Sequence, residues 1–492
     1  MASPPSAVGA PDQESSYTGM SFSPGQGLVV AYMAITAVAL ALLMVFGLAM
    51  RAAQAGYVRI PSTYFYQLLT AHGIGMVAIV GLGGAGVMWH FLSRYVTLSR
   101  GILLANLICF LCGGVLVLSS IFVGGFAGAW TFLFPLPSNS LGVWGVGATG
   151  SYLVGVLLIS VGFLLLYVDT GRAILGQYRG LGAALGWPQA FRGHPAAAPP
   201  PTVVASTVVT FINIPAIVVG GAILTLSLVN ALAPRFTVSA LVAKNLTYFF
   251  GHVFINSTIY MGVTAVYEIL PAYTGRPWRS SRPFLLAWTA TMLIVLAGYP
   301  QHLFMDYANP TWAHVLGQVL SYASSLPVLA ATTAATLANV YRSGMRWTIT
   351  TALLFLSIMG WSVGVVPAVL DGTIAINRVM HNTLWVAGHV HIYMTLGVVA
   401  MLFAFMYFLG LSTGASDNAL DRAGVWLYTV GAPGFAIAFL AGGALGVPRR
   451  WAVHLEPWMA WDRVGVVFGA LVLIGAVVFG ASFLKRVRAR AI

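Results

Sequence analysis

Twelve long apolar runs constrain this chain more than any other feature, because each is long enough to cross ~30 Å of hydrocarbon. They lie near residues 27–50, 64–93, 102–125, 147–168, 203–232, 242–271, 283–305, 313–341, 347–370, 379–411, 424–446 and 463–484. In lipid the backbone must satisfy its own hydrogen bonds, so each run is expected as a helix. We number them spans one to twelve. The expected fold is an all-α integral membrane protein of twelve transmembrane helices. Composition agrees: 59% of the 492 residues are hydrophobic and 7% are charged, whereas a soluble surface needs roughly a quarter charged. A soluble enzyme, a disordered chain and a disulfide-rich secreted module are excluded together. The two cysteines, Cys109 and Cys112, sit in an apolar run and offer neither a disulfide framework nor a C-x-x-C-H motif for covalent haem attachment.

Three pieces of organisation follow. Residues 1–26, rich in Ser, Pro and Gly and without Lys or Arg, read as a disordered N-terminal tail. Residues 27–484 form one membrane domain, in which the Pro-rich run Pro195 to Pro201 is a linker between four spans and eight. Residues 485–492 form a basic C-terminal tail. A net charge of +13 would suggest nucleic acid in a soluble protein, but the basic residues fall in short loops between apolar runs. When loops are assigned alternately to two sides, fifteen of the 23 Lys and Arg share the side of both termini and eight fall opposite. Both termini are therefore expected in the cytoplasm, with a lipid bilayer and no nucleic acid as surroundings. The adjacent pair Arg449 and Arg450 breaks this rule on the outer side and asks for a local anion.

Five of the ten histidines, His72, His252, His302, His389 and His391, lie inside spans, where an ionisable side chain is expensive. Spans two, six and ten begin outside, and His72, His252 and His389 each fall about ten residues in, roughly 15 Å deep at 1.5 Å per residue. His302 lies near the outer end of span seven. Four helices thus bring imidazoles to overlapping depths in the outer half of the membrane, and metal is the economical explanation. The bland alternative for each is a neutral imidazole bonded to a backbone carbonyl. His389 and His391 are two apart, about 200° around a helix, so one helix presents imidazoles to opposite sides and suits two flat macrocycles flanking it.

The stretch from His381 to His391, HNTLWVAGHVH, resembles the tenth helix of the catalytic subunit of haem-copper oxidoreductases, and among them the B-type oxidases. Thr70-Ala71-His72-Gly73 resembles the family's second-helix haem ligand, and Phe250-Gly251-His252 its sixth-helix copper ligand. Trp130-Thr131-Phe132 with Pro135-Leu136, Asn309-Pro310-Thr311-Trp312 and Val447-Pro448-Arg449-Arg450-Trp451 match further segments, so the likeness spans about four fifths of the chain. The resemblance implies that His72 and His391 are axial ligands of a low-spin haem and His389 holds a high-spin haem. It also implies that His252 and His302 bind copper facing the second haem, and that Arg449 and Arg450 pair with haem propionates. His381 and Asp306 fall where the family has polar groups near those propionates.

Two departures bear on the reaction. The family's adjacent histidine pair on helix seven reads Gln301-His302 here, and the Tyr that A- and B-type oxygen reductases carry four residues after the copper ligand is Asn256. The C-type position for that Tyr is Val295; Tyr299 and Tyr260 are not expected to substitute. Breaking O–O in one step takes four electrons, and the family uses the phenol for the fourth. Coupling two NO takes two, and loss of that Tyr is shared by the nitric oxide reductases of the superfamily. The expected activity is therefore 2 NO + 2 e⁻ + 2 H⁺ → N₂O + H₂O, at a high-spin haem and a copper fed by a low-spin haem, both haems b-type. Nitric oxide reductases with cytochrome subunits carry Glu on helix six and bind non-haem iron. Two imidazoles with a neutral amide suit copper better.

B-type polar positions of the inner proton channel appear as Val263, Val328 and Ala331, which leaves Tyr267 isolated apart from Thr332 and Thr333. Glu268 reads as an interfacial acid near the cytoplasmic face. Three other readings stay open at this stage: a B-type terminal oxidase reducing O₂, drawing on cytochrome c or quinol; an NO dismutase giving N₂ and O₂; and a haem-free proton-coupled transporter. The resemblance further implies a bacterial inner (plasma) membrane location and an electron-donating subunit with a cupredoxin or cytochrome domain on the outer face.

Overall fold

The computed structural model describes residues 24–129, 140–193, 197–324, 326–411 and 417–491. The N-terminal tail up to residue 23, the 130–136 motif and part of the Pro-rich linker lie outside the described residues. Among the described residues twelve helices are long and apolar enough to cross a membrane, from Gly25–Gln54 to Glu456–Ala489, in the expected order. They pack in series: span one on two and twelve, three on four, four on five, five on six, and eleven on twelve. Spans six (Ala240–Thr274) and ten (Leu384–Gly410) each have 83% of their apolar window buried, against 33% for span three. They are therefore the central helices, and they carry His252, His389 and His391.

Close helix approach in lipid depends on small residues, since burying one apolar surface against another gains little over lipid tails. A Cβ placed on Gly113 of span three would stand 2.4 Å from the Gly155 carbonyl oxygen of span four, and one on Gly155 would stand 2.7 Å from that of Gly113. Polar caps set helix starts at the membrane surface. Ser99 accepts from Ile102 N–H, and the pairs Thr348/Thr351 and Asn418/Asp421 close reciprocal capping boxes.

The structure departs from the expected boundaries where polar residues continue a helix. Span four runs from Val146 to Tyr178, ten residues past the expected 168. Asp169, accepting from Ser99 N–H at 2.8 Å and from Arg172 at 2.8 Å, gives this polar stretch partners. The final helix, Met459–Ala491, takes in Lys485 to Arg488, so the basic stretch continues span twelve instead of forming a separate tail. Within it Arg486 is buried and donates to Asp421 at 2.7 Å. Span seven is not α-helical throughout. Its α-helix ends at Ala297 and a 3₁₀ turn covers Tyr299–Leu303, with Pro300 inside it. In span ten an α-helix over Leu384–His391 passes into a π-helical run over Ile392–Val399 immediately after the second histidine, a distortion frequent at functional sites.

Candidate haem and metal centres

Span six and the 3₁₀ turn of span seven bring three of the expected residues together. His252 Nδ1 lies 3.0 Å from His302 Nε2, and the Gln301 amide donates to His252 Nδ1 at 3.2 Å. Metal–imidazole bonds of about 2.0–2.1 Å to two nitrogens 3.0 Å apart would subtend roughly 90° at a shared ion. These two imidazoles therefore fit one metal. Among the described residues no group of three or more His, Cys, Asp or Glu could hold a metal, as expected once Gln301 replaces an imidazole. Asn256 bends back and donates to the His252 carbonyl at 2.7 Å, one turn along the same helix.

His72 and His391 form a second, separate pair. Their rings are nearly parallel, 18° apart, with centroids 6.5 Å apart. Two metal–nitrogen bonds of about 2 Å take up some 4 Å of such a separation, and the two half-rings account for the rest. His72 Nδ1 contacts the Leu43 carbonyl at 2.7 Å and His391 Nδ1 the Ala387 carbonyl at 2.6 Å. A carbonyl only accepts, so each Nδ1 carries the hydrogen and each Nε2 keeps its lone pair for a metal. Phe439 stacks on His391 at 4.8 Å and 11°, and the Arg51 guanidinium lies 4.1 Å from the Phe439 ring centre.

His389, on the other side of span ten, makes a different bond. Its Nδ1 meets Asp371 Oδ2 at 2.8 Å, at the C-terminal end of span nine. His389 and Asp371 line one cavity of about 290 Å³ with His252, His302, Asn256 and Gln301, and its far wall is formed by apolar residues such as Ile74, Ile159 and Phe163. One imidazole and the two-imidazole set thus line the same cavity. Its donors fit a haem iron on one side and a copper on the other.

The loop carrying the two outer arginines is fastened to the start of span ten. Thr383 and Pro448 form an antiparallel bridge, Leu384 N–H donates to the Val447 carbonyl at 2.9 Å and Arg449 N–H to the Asn382 carbonyl at 2.9 Å. From the other side Gln54 Nε2 holds the Trp451 carbonyl at 2.7 Å. Arg450 has φ +65°, a left-handed backbone uncommon outside glycine. Both arginines and His381 line the same cavity. Burial, with Arg450 adding to it, pulls the Arg449 guanidinium down to about 10. Burial and then Arg449 push the His381 imidazole down to about 4. Two crowded guanidiniums beside a neutral imidazole are the electrostatic mark of an anion site.

Asp306 stands close enough to His381 for its charge to act on that imidazole. It is bound to Lys244 and is not among the residues lining the cavity. Tyr299 points away from the metal pair as expected, though for another reason. It sits in a 3₁₀ turn, its hydroxyl donating to Asn245 at 3.2 Å and its ring packing on Phe249. Of the two threonines left near Tyr267, Thr332 is the one that meets it, its Oγ1 2.8 Å from the Tyr267 hydroxyl. Glu268 is no freely solvated surface acid. Tyr95 donates to it at 2.9 Å, Thr202 also bonds it, and Arg94 lies at 3.5 Å.

Several residues near the site went unread in the sequence. Tyr248 stacks on His302 at 5.7 Å and 16°, and Tyr393 packs edge-on to His389 at 5.2 Å. Both line the cavity. Tyr248 was recoverable: it lies four residues before His252 and so shares its helix face. Asp371 left only the signal of an acid at a span end. Beyond the cavity, Arg51 pairs with Asp462, which accepts from His454 Nδ1 at 2.6 Å, all three buried.

Twelve candidate spans that bring imidazoles together in two pairs define a multi-pass membrane protein with candidate metal centres. The family model "Cytochrome C and Quinol oxidase polypeptide I" matches residues 27–478, and the chain belongs to that family. It is 25% identical over 285 residues to the "Heme-copper oxidase subunit I+III" of Aeropyrum pernix, covering 55% of this chain and 34% of that protein. It is 27% identical over 267 residues to the "Cytochrome c oxidase subunit 1" of Thermus thermophilus, covering 50% of this chain and 47% of that one. The chain thus spans less than half the length of these relatives. A solved heme-copper terminal oxidase dimer superposes with a TM-score of 0.77 at 19% identity, over 95% of this chain and 84% of that one, a likeness of fold.

Proposed function

We propose that this chain is the catalytic subunit of a membrane-bound nitric oxide reductase, 2 NO + 2 e⁻ + 2 H⁺ → N₂O + H₂O. His72 and His391 would hold a low-spin haem, His389 a high-spin haem, and His252, His302 and the Gln301 side chain a copper. The amide oxygen of Gln301 is its only donor to a metal, so its side chain turns over when the ion binds. One observation carries the reading: Asn256 is folded back onto the His252 carbonyl at 2.7 Å, on the helix turn where oxygen-reducing relatives present a phenol. The bound haem iron and copper supply one electron each, which suffices for two NO. The protein's part is to hold both imidazole sets at fixed separation, to keep a mostly apolar cavity open to a small uncharged gas, and to neutralise propionates with Arg449 and Arg450. Electrons would come from a partner with an outer-face redox domain, in a plasma membrane with both termini cytoplasmic.

A second reading, reduction of O₂ to water, is favoured by Tyr248. Its ring stacks on His302 with centroids 5.7 Å apart, which puts a phenol beside one of the two imidazoles. It could give one electron and one proton, the fourth equivalent in O₂ + 4 e⁻ + 4 H⁺ → 2 H₂O. The curated relatives named above are oxidases, which adds weight to this alternative. The deciding experiment is haem and copper analysis of the purified chain with its partner, followed by NO and O₂ consumption on one sample of wild type and Tyr248→Phe. The nitric oxide reading expects two haems and one copper, fast NO consumption and no effect of Tyr248→Phe on it. Wild type reducing O₂ to water as fast as it consumes NO, with Tyr248→Phe abolishing the O₂ rate, sinks that reading.

A further inference from the structure

The three imidazoles expected to hold haem do not have equivalent partners. His72 and His391 each give the Nδ1 hydrogen to a neutral backbone carbonyl, at 2.7 and 2.6 Å, whereas His389 gives its own to the carboxylate of Asp371 at 2.8 Å. Asp371 is the last residue of the Ile349–Asp371 helix, and its carbonyl accepts from Asn377 Nδ2 at 2.8 Å, which holds the chain as it turns at Gly372. That turn is crowded: a Cβ on Gly372 would come within 2.1 Å of Ser321 Oγ. The Asp371 side chain is 11% exposed and its second oxygen, Oδ1, is buried with no hydrogen-bond partner. Among the described residues the carboxylate's one hydrogen-bonding partner is therefore His389, while its charge also reaches His381 and Arg449 without a hydrogen bond.

We propose that Asp371 is a positioning and charge-donating residue for His389, fixing the ring with Nε2 toward the cavity and giving that imidazole partial anionic character. The inference rests on the reading of His389 as the high-spin haem ligand. An anionic acceptor on Nδ1 makes Nε2 more basic, strengthens its bond to iron and favours the oxidised metal. The low-spin centre, with two carbonyl partners, receives no such push. The asymmetry has a use. A diatomic ligand such as NO, bound on the far side of a haem, weakens the bond to the opposite axial ligand. An imidazole tightened by a carboxylate stays attached through such binding, whereas one held only by a carbonyl is more easily lost.

The test uses the purified holoenzyme with its partner, and reads the iron–histidine stretching frequency of the reduced high-spin haem together with its midpoint potential. In wild type the stretch should be high, as for an imidazole bonded to an anion; a low frequency overturns the proposal without any variant. Asp371→Asn keeps an acceptor oxygen and removes the charge, so the stretch should fall and the midpoint potential rise with haem content unchanged. Asp371→Glu should bring both part of the way back. An Asn variant with unchanged stretch and potential overturns the role given to Asp371. The reading of His389 is checked separately, because His389→Ala must remove the high-spin haem spectrum. If it does not, that assignment has failed and the inference falls with it.

Discussion

Replacing Arg51 with Met, Asp462 with Leu, and then both, tests whether the buried cluster beside span one is a linked unit. Arg51 and Asp462 have side chains 7% and 0% exposed, and they come from opposite ends of the chain. Removing either strands the other's charge, which costs about 3–5 kcal/mol. For Arg51 the contact with Phe439 at 4.1 Å adds about 1–2 kcal/mol. The double variant strands no charge. It leaves His454 Nδ1 without its acceptor and loses the ring contact, together about 2–4 kcal/mol. Two single losses that sum to about 7–12 kcal/mol against a double loss that small give a coupling of at least about 3 kcal/mol. The assay is equilibrium unfolding in mixed micelles against rising dodecyl sulfate, followed by helicity and independent of turnover. A double variant whose loss equals the sum of the singles within about 0.5 kcal/mol refutes the reasoning. The single Arg51→Met variant should also lower the low-spin haem potential, since it removes a positive charge behind the ring that stacks on His391.

Further expectations concern the centres and their packing. His72→Ala should abolish the low-spin haem spectrum, and a surviving bis-imidazole signal would contradict the assignment on span two. Arg449→Gln should lower a haem midpoint potential by about 30–60 mV, for about 1 kcal/mol in a one-electron couple, read by potentiometric titration. Gly443→Ala places a Cβ 1.9 Å from the Trp385 backbone nitrogen, so span eleven must move off span ten. Loss of folded protein and of both haems together is expected in detergent extracts. Gln301→His with Asn256→Tyr supplies both the imidazole and the phenol; either change alone should leave O₂ turnover slow while NO consumption persists, measured with haem and copper content verified.

What could be read from the sequence was whatever repeats along one segment. Apolar runs gave twelve spans, because a helix in lipid must be apolar along its length wherever it sits in the bundle. The placement of His72, His252, His302, His389 and His391 followed from depth alone. Asp371, Arg51, His454 and Asp462 were hidden because their roles depend on partners from other segments. Arg51 and Asp462 meet across 411 positions, a distance no periodicity spans. The ends of spans four and twelve were read short for a related reason. Hydropathy falls at the first charge, yet Asp169 and Arg486 are bonded to other elements, so the helices continue through them.

The bridge between Thr383 and Pro448 sets an order on how such a protein can be built. The strap that carries Arg449 and Arg450 is translated a whole span later than His389 and His391, yet it is zipped to the very residues that start their helix. Until that strap is made, Arg449 and Arg450 are missing from the lining of the cavity. Once Leu384 and Arg449 have exchanged their bonds with Val447 and Asn382, releasing the strap requires unzipping both. The same few hydrogen bonds are therefore a late-forming clasp, holding the two arginines to the start of span ten only once span eleven has been made.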